Sequence, residues 1–313
     1  MVERDITEDM FTPLDKNSLD AEKINRPIVT YWQDAWARLK RNKAAMASLM
    51  LLVLLVVVAI IGPFMNDFRY SDQNYSELNL KPFSAAALEN NHFFGTDDLG
   101  RDIWQRIWVG TKISLFIGVM AALLDLIIGV LYGAIAGYKG GKTDTIMMRI
   151  IEVVVGIPQL ILVILLVLIL GGSLWTIILA MAISGWMGMA RLTRGQILQL
   201  KEQEFVMAAT TLGADTKRMI LKHLIPNALG PILVTVTFTI PSAIFTEATL
   251  SFIGVGLEPP LASLGSLVND GYKMLRTYSW NLWFPAAVIS IIILAFNILG
   301  DGLRDAFDPK MRK

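Results

Sequence analysis

Apolar residues along this chain gather into six runs, near residues 44–64, 114–138, 147–170, 174–190, 228–253 and 282–299. A hydrocarbon core of ~30 Å needs about 20 mostly apolar residues in a helix, and each run comes close to that length or exceeds it. The pattern predicts an all-α integral membrane protein with six transmembrane helices. The third and fourth runs are separated only by Gly171, Gly172 and Ser173, a turn tight enough for an antiparallel hairpin. Gly129, Gly156, Pro158 and Pro241 fall inside runs, where neighbouring helices can re-satisfy the backbone and where close packing or kinks become possible.

The polar positions divide the rest. Residues 1–43 form a polar tail, 44–64 the first span, 65–109 a segment between spans, 110–302 a five-helix core and 303–313 a second tail. Lysines and arginines number eight in the first tail, three over 139–149, six in 191–226 and four in the last tail, against five, none and two in the alternate segments. Cytoplasmic loops carry that excess, so both termini and the 191–226 loop are expected in the cytoplasm. Within 27–43, Ile28, Tyr31, Trp32, Ala35 and Leu39 share one helical face and Lys40, Arg41 and Lys43 follow. This suits a helix lying on the lipid surface with its aromatics at headgroup level.

Composition agrees with a membrane class: 313 residues, 54% hydrophobic and 18% charged, with a mean hydropathy of +0.53. The formal charge of +1 carries no information about partners, and no nucleic-acid partner is expected. The absence of cysteine excludes disulfides, thiol catalysis and cysteine metal sites. His92 and His223 are too far apart in sequence for a local metal pair. The first residues lack the short basic end and apolar core of a cleavable signal peptide.

The 191–226 loop predicts two short helices. The first runs over about 201–212 and ends at Gly213, a left-handed cap; the second begins after Asp215, a good N-cap, and ends before Pro226. Ala208 and Ala209 let another backbone approach closely, and Gly213 permits a sharp reversal. The result is a compact docking knob able to pass a push from a soluble partner into the flanking spans.

This loop resembles the cytoplasmic "EAA" loop of ABC-importer permeases: Glu-Ala-Ala, three residues, Gly, nine residues, Ile-x-Leu-Pro. Ala208, Ala209, Gly213 and Pro226 match in register, while Met207 stands for the Glu, His223 for the Ile and Ile225 for the Leu. Glu204, one turn earlier, is a candidate for the missing carboxylate. Four further segments resemble the C-type permease of bacterial oligopeptide and dipeptide importers, in wording nearest the Gram-positive oligopeptide branch. They are HFFGTDDLGRDIWQRIWVG (92–110), GGKTDTIMMR (140–149), TEATLSFIGVGLEPP (246–260) and GDGLRDAFDP (300–309).

The resemblance implies a type I ABC importer permease fold in a bacterial cell membrane. It further implies a second permease subunit, two ATPase subunits carrying ATP and Mg, and an extracellular peptide-binding lipoprotein. No catalysis, cofactor or metal is implied for this chain. A dipeptide or nickel importer permease shares the same motifs. A proton-coupled secondary carrier usually shows more spans or inverted repeats, and a channel needs a selectivity ring; neither pattern is visible.

Several residues invite a chemical role. AGYKGGKT (136–143) is one residue short of the phosphate loop G-x-x-x-x-G-K-[ST], which works through a strand feeding a helix; here a membrane helix precedes it, so a short cytoplasmic turn is expected. Residues 96–110 read as a re-entrant or surface-lying element before the second span, with Ile103, Trp104, Ile107 and Trp108 on one apolar face. Glu247, a carboxylate in the fifth span, should face protein or a water-filled cavity. It is a candidate for the translocation path, suited to a peptide's amino end, with interhelical hydrogen bonding as the alternative. Asp125 and Glu152 are expected in structural pairs. Residues 259–271, rich in small residues, offer a surface to a substrate-delivering protein.

Overall fold

The computed structural model describes residues 30–308. Twelve helical segments follow one another: α1 Tyr31–Arg41, α2 Lys43–Ile61, α3 Ala85–Glu89, α4 Ile103–Lys139, α5 Gly141–Val155, α6 Gln159–Leu170, α7 Leu174–Lys201, α8 Glu204–Thr211, α9 Thr216–Arg218, α10 Ile225–Phe252, α11 Leu264–Lys273 and α12 Trp280–Phe307. A 3₁₀ turn, Gly62–Phe64, closes α2, and a π-helical stretch, Met219–Leu224, joins α9 to α10. Among the described residues five helices are long and apolar enough to cross a membrane, or six if the bent pair α5–α6 counts as one.

The expected third span, 147–170, is corrected by that pair. Its two halves meet at 75°, because Pro158 has no amide to donate and holds its ψ at 120°, outside the helix. At 1.5 Å per residue, α6 spans only about 18 Å, too short to cross alone. The Gly171–Ser173 turn joins α6 to α7 as expected, and Ser173 caps α7 by accepting from the Thr176 amide at 3.1 Å.

Two helices form the centre. Over its most apolar window α7 is 61% buried and α4 50%, against 28% for α2 and 22% for α12, so the outer helices present their apolar surface to lipid. Gly129, Gly133 and Gly137 lie four residues apart on α4. A methyl group at each would strike α7 at Trp186 and Met189, at the Ala190 carbonyl, and at the Arg194 carbonyl with Ile197. Small residues at this spacing let two backbones touch, which is how helices gain packing energy where lipid removes the hydrophobic drive. A bidentate pair, Arg194 Nε and Nη2 to the two Asp144 oxygens at 2.5 and 2.6 Å, ties α5 to α7.

At one end of the bundle the chain builds a cap from residues 62–102. It continues into α4, so of the expected separate element over 96–110 the part 103–110 is instead the first turns of a 37-residue helix, while 96–102 belong to the cap. Their apolar side is buried as the spacing implied, through Ile103, Ile107 and Trp108. Asp102 caps α4 through the Gln105 amide at 2.7 Å. His92, 1% exposed, lies between two carboxylates, 2.7 Å from Asp102 and 3.2 Å from Glu77, and stacks on Phe68. Burial pushes its pKa down, but the hydrogen bonds and charges of Asp102 and Glu77 outweigh that and hold it above the ordinary 6.5.

At the opposite end α1 lies against α12. Thr30 and Gln33 form a capping box, Ala35 and Leu39 are buried, and Phe307 stacks on Tyr31 at 5.8 Å and meets Trp32 edge-on. Trp32 and Trp36 remain about half exposed, in keeping with a lipid-surface helix. Ile28 and the rest of the tail before residue 30 lie outside the described residues.

Two outcomes follow from this packing. Gly133→Val must push into the Ala190 backbone, and overpacking of that kind costs about 1–3 kcal/mol or more. The thermal midpoint of the purified chain should fall. Gly195→Ala on α7, whose added methyl meets nothing within 4 Å, should stay within ~0.5 kcal/mol. Because the folded His92 pKa is raised, its pairing contributes fully below the unfolded value and is lost as pH rises through the folded one. Hydrogen exchange in 65–102, corrected for its intrinsic pH dependence, should therefore accelerate toward alkaline pH, and His92→Gln should remove that dependence.

Candidate functional site

The 191–226 segment folds as a protruding helical element. The first short helix begins at Glu204 rather than near 201, because α7 runs on to Lys201, whose ammonium donates to the Tyr138 carbonyl at 2.7 Å and so caps α4. Thr210 and Ala209 carbonyls then accept from the Gly213 and Ala214 amides, both at 3.0 Å, and Gly213 takes φ +82°. That left-handed conformation is the reversal the sequence implied. Asp215 caps the next turn through the Arg218 amide at 3.0 Å.

The second short helix does not end before Pro226. It passes through the π stretch 219–224 directly into α10, and Pro226 occupies the first turn of α10. Pro226 has no amide to donate, and the turn before it runs as a wider π-helical stretch in place of regular α-helix. The fifth span and the second half of the knob, beyond the Gly213 reversal, are thus one continuous rod over residues 216–252.

Burial sorts the residues of the knob. Val206, Met219, Ile220 and Leu224 are buried in a cluster that α4 and α7 share, with Ala209 packed against it. Glu204, Met207, Ala208, Gly213 and Pro226 are exposed, and Leu212 is 87% exposed at the tip. Leu212 thus stands at the turn with its side chain packed against nothing in the bundle. Sequence reasoning did not single out Leu212; its signal was an apolar residue directly before the reversal glycine. AGYKGGKT forms a tight turn, with Gly140 and Gly141 both at positive φ between α4 and α5.

A second feature lies in mid-bundle. A cavity of about 470 Å³ opens between the α5–α6 break, α4, α7 and α10. Thr235, Thr239, Ser242 and Thr246 place a hydroxyl stripe along α10 in its wall, opposite α4 residue Asp125. The expected pairing of Asp125 is not made: Asp125 is 6% exposed and its Oδ1 has no hydrogen-bond partner. Glu152 does pair, with Arg149 at 2.7 Å, at an exposed position.

Glu247 is fully buried and does not line that cavity. Its carboxylate accepts from Ser114 of α4 at 3.0 Å and from Ser251 at 2.7 Å. Ser114 in turn accepts from the Leu264 amide at 3.1 Å, and Ser263, the N-cap of α11, lies 3.3 Å from Ser251. Glu247 therefore knots α4, α10 and α11 together, the interhelical alternative read from sequence. Nearby, Arg106 pairs with Asp97 and, at 3.2 Å, with Asp270 of α11, while Arg101 holds Asp97 at 2.7 Å.

Bundle, knob and a largely apolar cavity with one charged residue in its lining define a multi-pass helical transport subunit. Residues 129–313 match the family described as binding-protein-dependent transport system inner membrane component, and residues 30–82 match the N-terminal TM domain of oligopeptide transport permease C. The chain belongs to the binding-protein-dependent transport permease family. It is 51% identical over 310 residues to the oligopeptide transport system permease protein OppC of Bacillus subtilis, covering 99% of this chain and 100% of that one. Identity to the dipeptide transport system permease protein DppC of the same organism is 50% over 309 residues, covering 98% and 95%. The Escherichia coli K12 OppC is 41% identical, covering 93% and 95%. Among solved structures, an inward-facing form of the MetNI methionine ABC transporter aligns with TM-score 0.52 at 19% identity, over 64% of this chain and 94% of that one. That likeness establishes the type I importer permease fold for the core.

The Glu247 knot is testable. Glu247→Ala leaves buried hydroxyls without an acceptor, at about 1–3 kcal/mol, and should lower the thermal midpoint in detergent. Glu247→Gln keeps one carbonyl acceptor and should retain most of the stability. Loss of uptake in Glu247→Gln at unchanged stability would instead put this side chain on the path.

Proposed function

We propose that this chain is one of two permease subunits of an ATP-driven importer that takes up oligopeptides handed over by an extracellular binding lipoprotein. The carrying observation is the continuity of the knob with α10. Two ATPase subunits, with their ATP and Mg, engage the exposed side of α8, and their closure moves a rod whose far half lines the cavity. Glu204, Met207, Ala208, Ala209, Gly213 and Pro226 are the coupling residues, with Leu212 added as the apolar tip. Ala209 anchors the knob while Met207, Ala208 and Leu212 present its outer face.

The knob end also carries α1 and the last turn of α12, since Phe307 lies against Tyr31 and Leu192, Pro231 and Arg304 line one common recess. The basic residues gather at this end, which supports a cytoplasmic placement for it and for both termini in a bacterial cell membrane. The chain itself performs no covalent chemistry and holds no cofactor. Dipeptides are the second reading, favoured by the near-equal identity to the two Bacillus subtilis permeases.

Gly213→Val forces a β-branched residue into left-handed backbone, a strain of about 1–3 kcal/mol. Leu212→Asp leaves the backbone alone and removes the apolar tip. Both should weaken ATPase association about tenfold or more, the loss typical of an interface anchor, and lower peptide uptake in step. Leu212→Asp should leave the thermal midpoint of the isolated chain unchanged. Normal ATPase binding and uptake by both variants would remove the coupling assignment.

A further inference from the structure

Among the described residues the buried carboxylates are matched, with one exception. Asp97 has Arg101 and Arg106, Asp102 has His92 and Glu247 has two serines. Asp125 has an unpartnered oxygen and faces the mid-bundle cavity. A carboxylate at this depth costs about 2.5–3.5 kcal/mol on insertion scales. Such groups persist in membrane helices where a cavity or a pathway uses them.

We propose that Asp125 receives the protonated amino group of the translocated substrate inside the cavity between α4, α7 and α10. The inference rests on the peptide-import reading and names the contact that reading lacks. No lysine, arginine or histidine lines the cavity, so its one charged group is this carboxylate and its charge preference is for a cation. The hydroxyl stripe has the matching polarity. Thr235, Thr239 and Thr246 donate to the carbonyls of Pro231, Thr235 and Ser242 of their own helix at 2.9, 3.0 and 2.9 Å. Their protons are spent, and their oxygens are left as acceptors. An ammonium offers three donors and no acceptor, which fits a wall of acceptors around a carboxylate. Gly185 of α7 gives the Asp125 carboxylate its place in the wall: a methyl group there would strike both of its oxygens. The volume of about 470 Å³ lies in the range of small-ligand sites.

The test uses the assembled importer in vesicles with its binding protein and ATP. Uptake of tetra-alanine with a free amino terminus is compared with its N-acetyl counterpart, in wild type and in Asp125→Asn. The expected result is a fall of about tenfold for the free amine, as for a lost charged hydrogen bond, with the acetylated peptide little changed. An equal loss for both peptides, or loss of the second permease on purification of Asp125→Asn, overturns the proposal, the latter by assigning the carboxylate to the partner chain. A wild-type importer that moves neither peptide overturns the peptide reading itself. If the binding protein rejects the acetylated peptide, the cysteine-free sequence supplies a second measurement. Alkylation of Ser242→Cys, on the same cavity wall, should be slowed by free-amine peptide, and this protection should vanish when Asp125→Asn is added. Protection that survives Asp125→Asn overturns the proposal.

Discussion

The backbone contact of α4 with α7 is what the remaining architecture depends on. Three glycines at four-residue spacing bring α4 against Trp186, Ala190 and Arg194 of α7, and water-driven collapse cannot replace that contact inside lipid. Once the two helices touch, their shared side offers the floor on which Met219, Ile220 and Leu224 seat the knob. The same contact fixes Asp125 opposite Gly185, since both sit one to two turns from Gly129 and its partner Met189. The outer helices α2 and α12 can stay largely lipid-exposed because they hang on this centre and do not create it.

The two ends are built by different chemistry. At the α11 end the elements are held by polar knots: Glu247 with its serines, Arg106 between Asp97 and Asp270, and His92 between Asp102 and Glu77. Removing one member of such a knot strands the others, so this end behaves as a unit. At the knob end the contacts are chiefly apolar, and α8 reaches the bundle through little more than Val206 and Ala209. A partner that grips α8 therefore meets a shallow seat on one side and a continuous rod on the other.

Much of this was legible in the sequence, for identifiable reasons. The apolar runs, the Gly171–Ser173 hairpin and the Gly213 reversal are local signals, and all but the third run, which bends by 75°, form where the residues place them. The failures are equally local. Averaged hydropathy runs straight through Pro158, although the chain turns there, and Pro226 reads as a stop because the π stretch that precedes it leaves no mark in residue type. The first turns of α4 fell below a membrane signal because Asp102, Gln105 and Arg106 are polar; their partners come from the cap and from Asp270, far along the chain. The two intramembrane carboxylates were harder still. Sequence shows a charge in a span but not whether serines from another helix satisfy it, so Glu247 read equally as a path residue or an interhelical bond, and Asp125 as one of a pair.

That outcome bears on how motion at the knob could be felt in the cavity. The rod over 216–252 carries the exposed turn at one end, the hydroxyl stripe 235–246 in its middle and the Glu247 knot beyond. If the knob is displaced while Glu247 stays bound to α4 and α11, the pivot falls at the knot and the stripe between moves relative to Asp125. A carboxylate on the central α4 and acceptors on the moving α10 would then hold a cation together in one position and part in another. A site split between a fixed helix and a lever can change affinity without either wall losing its structure, which is the differential binding that any ligand-coupled conformational change requires.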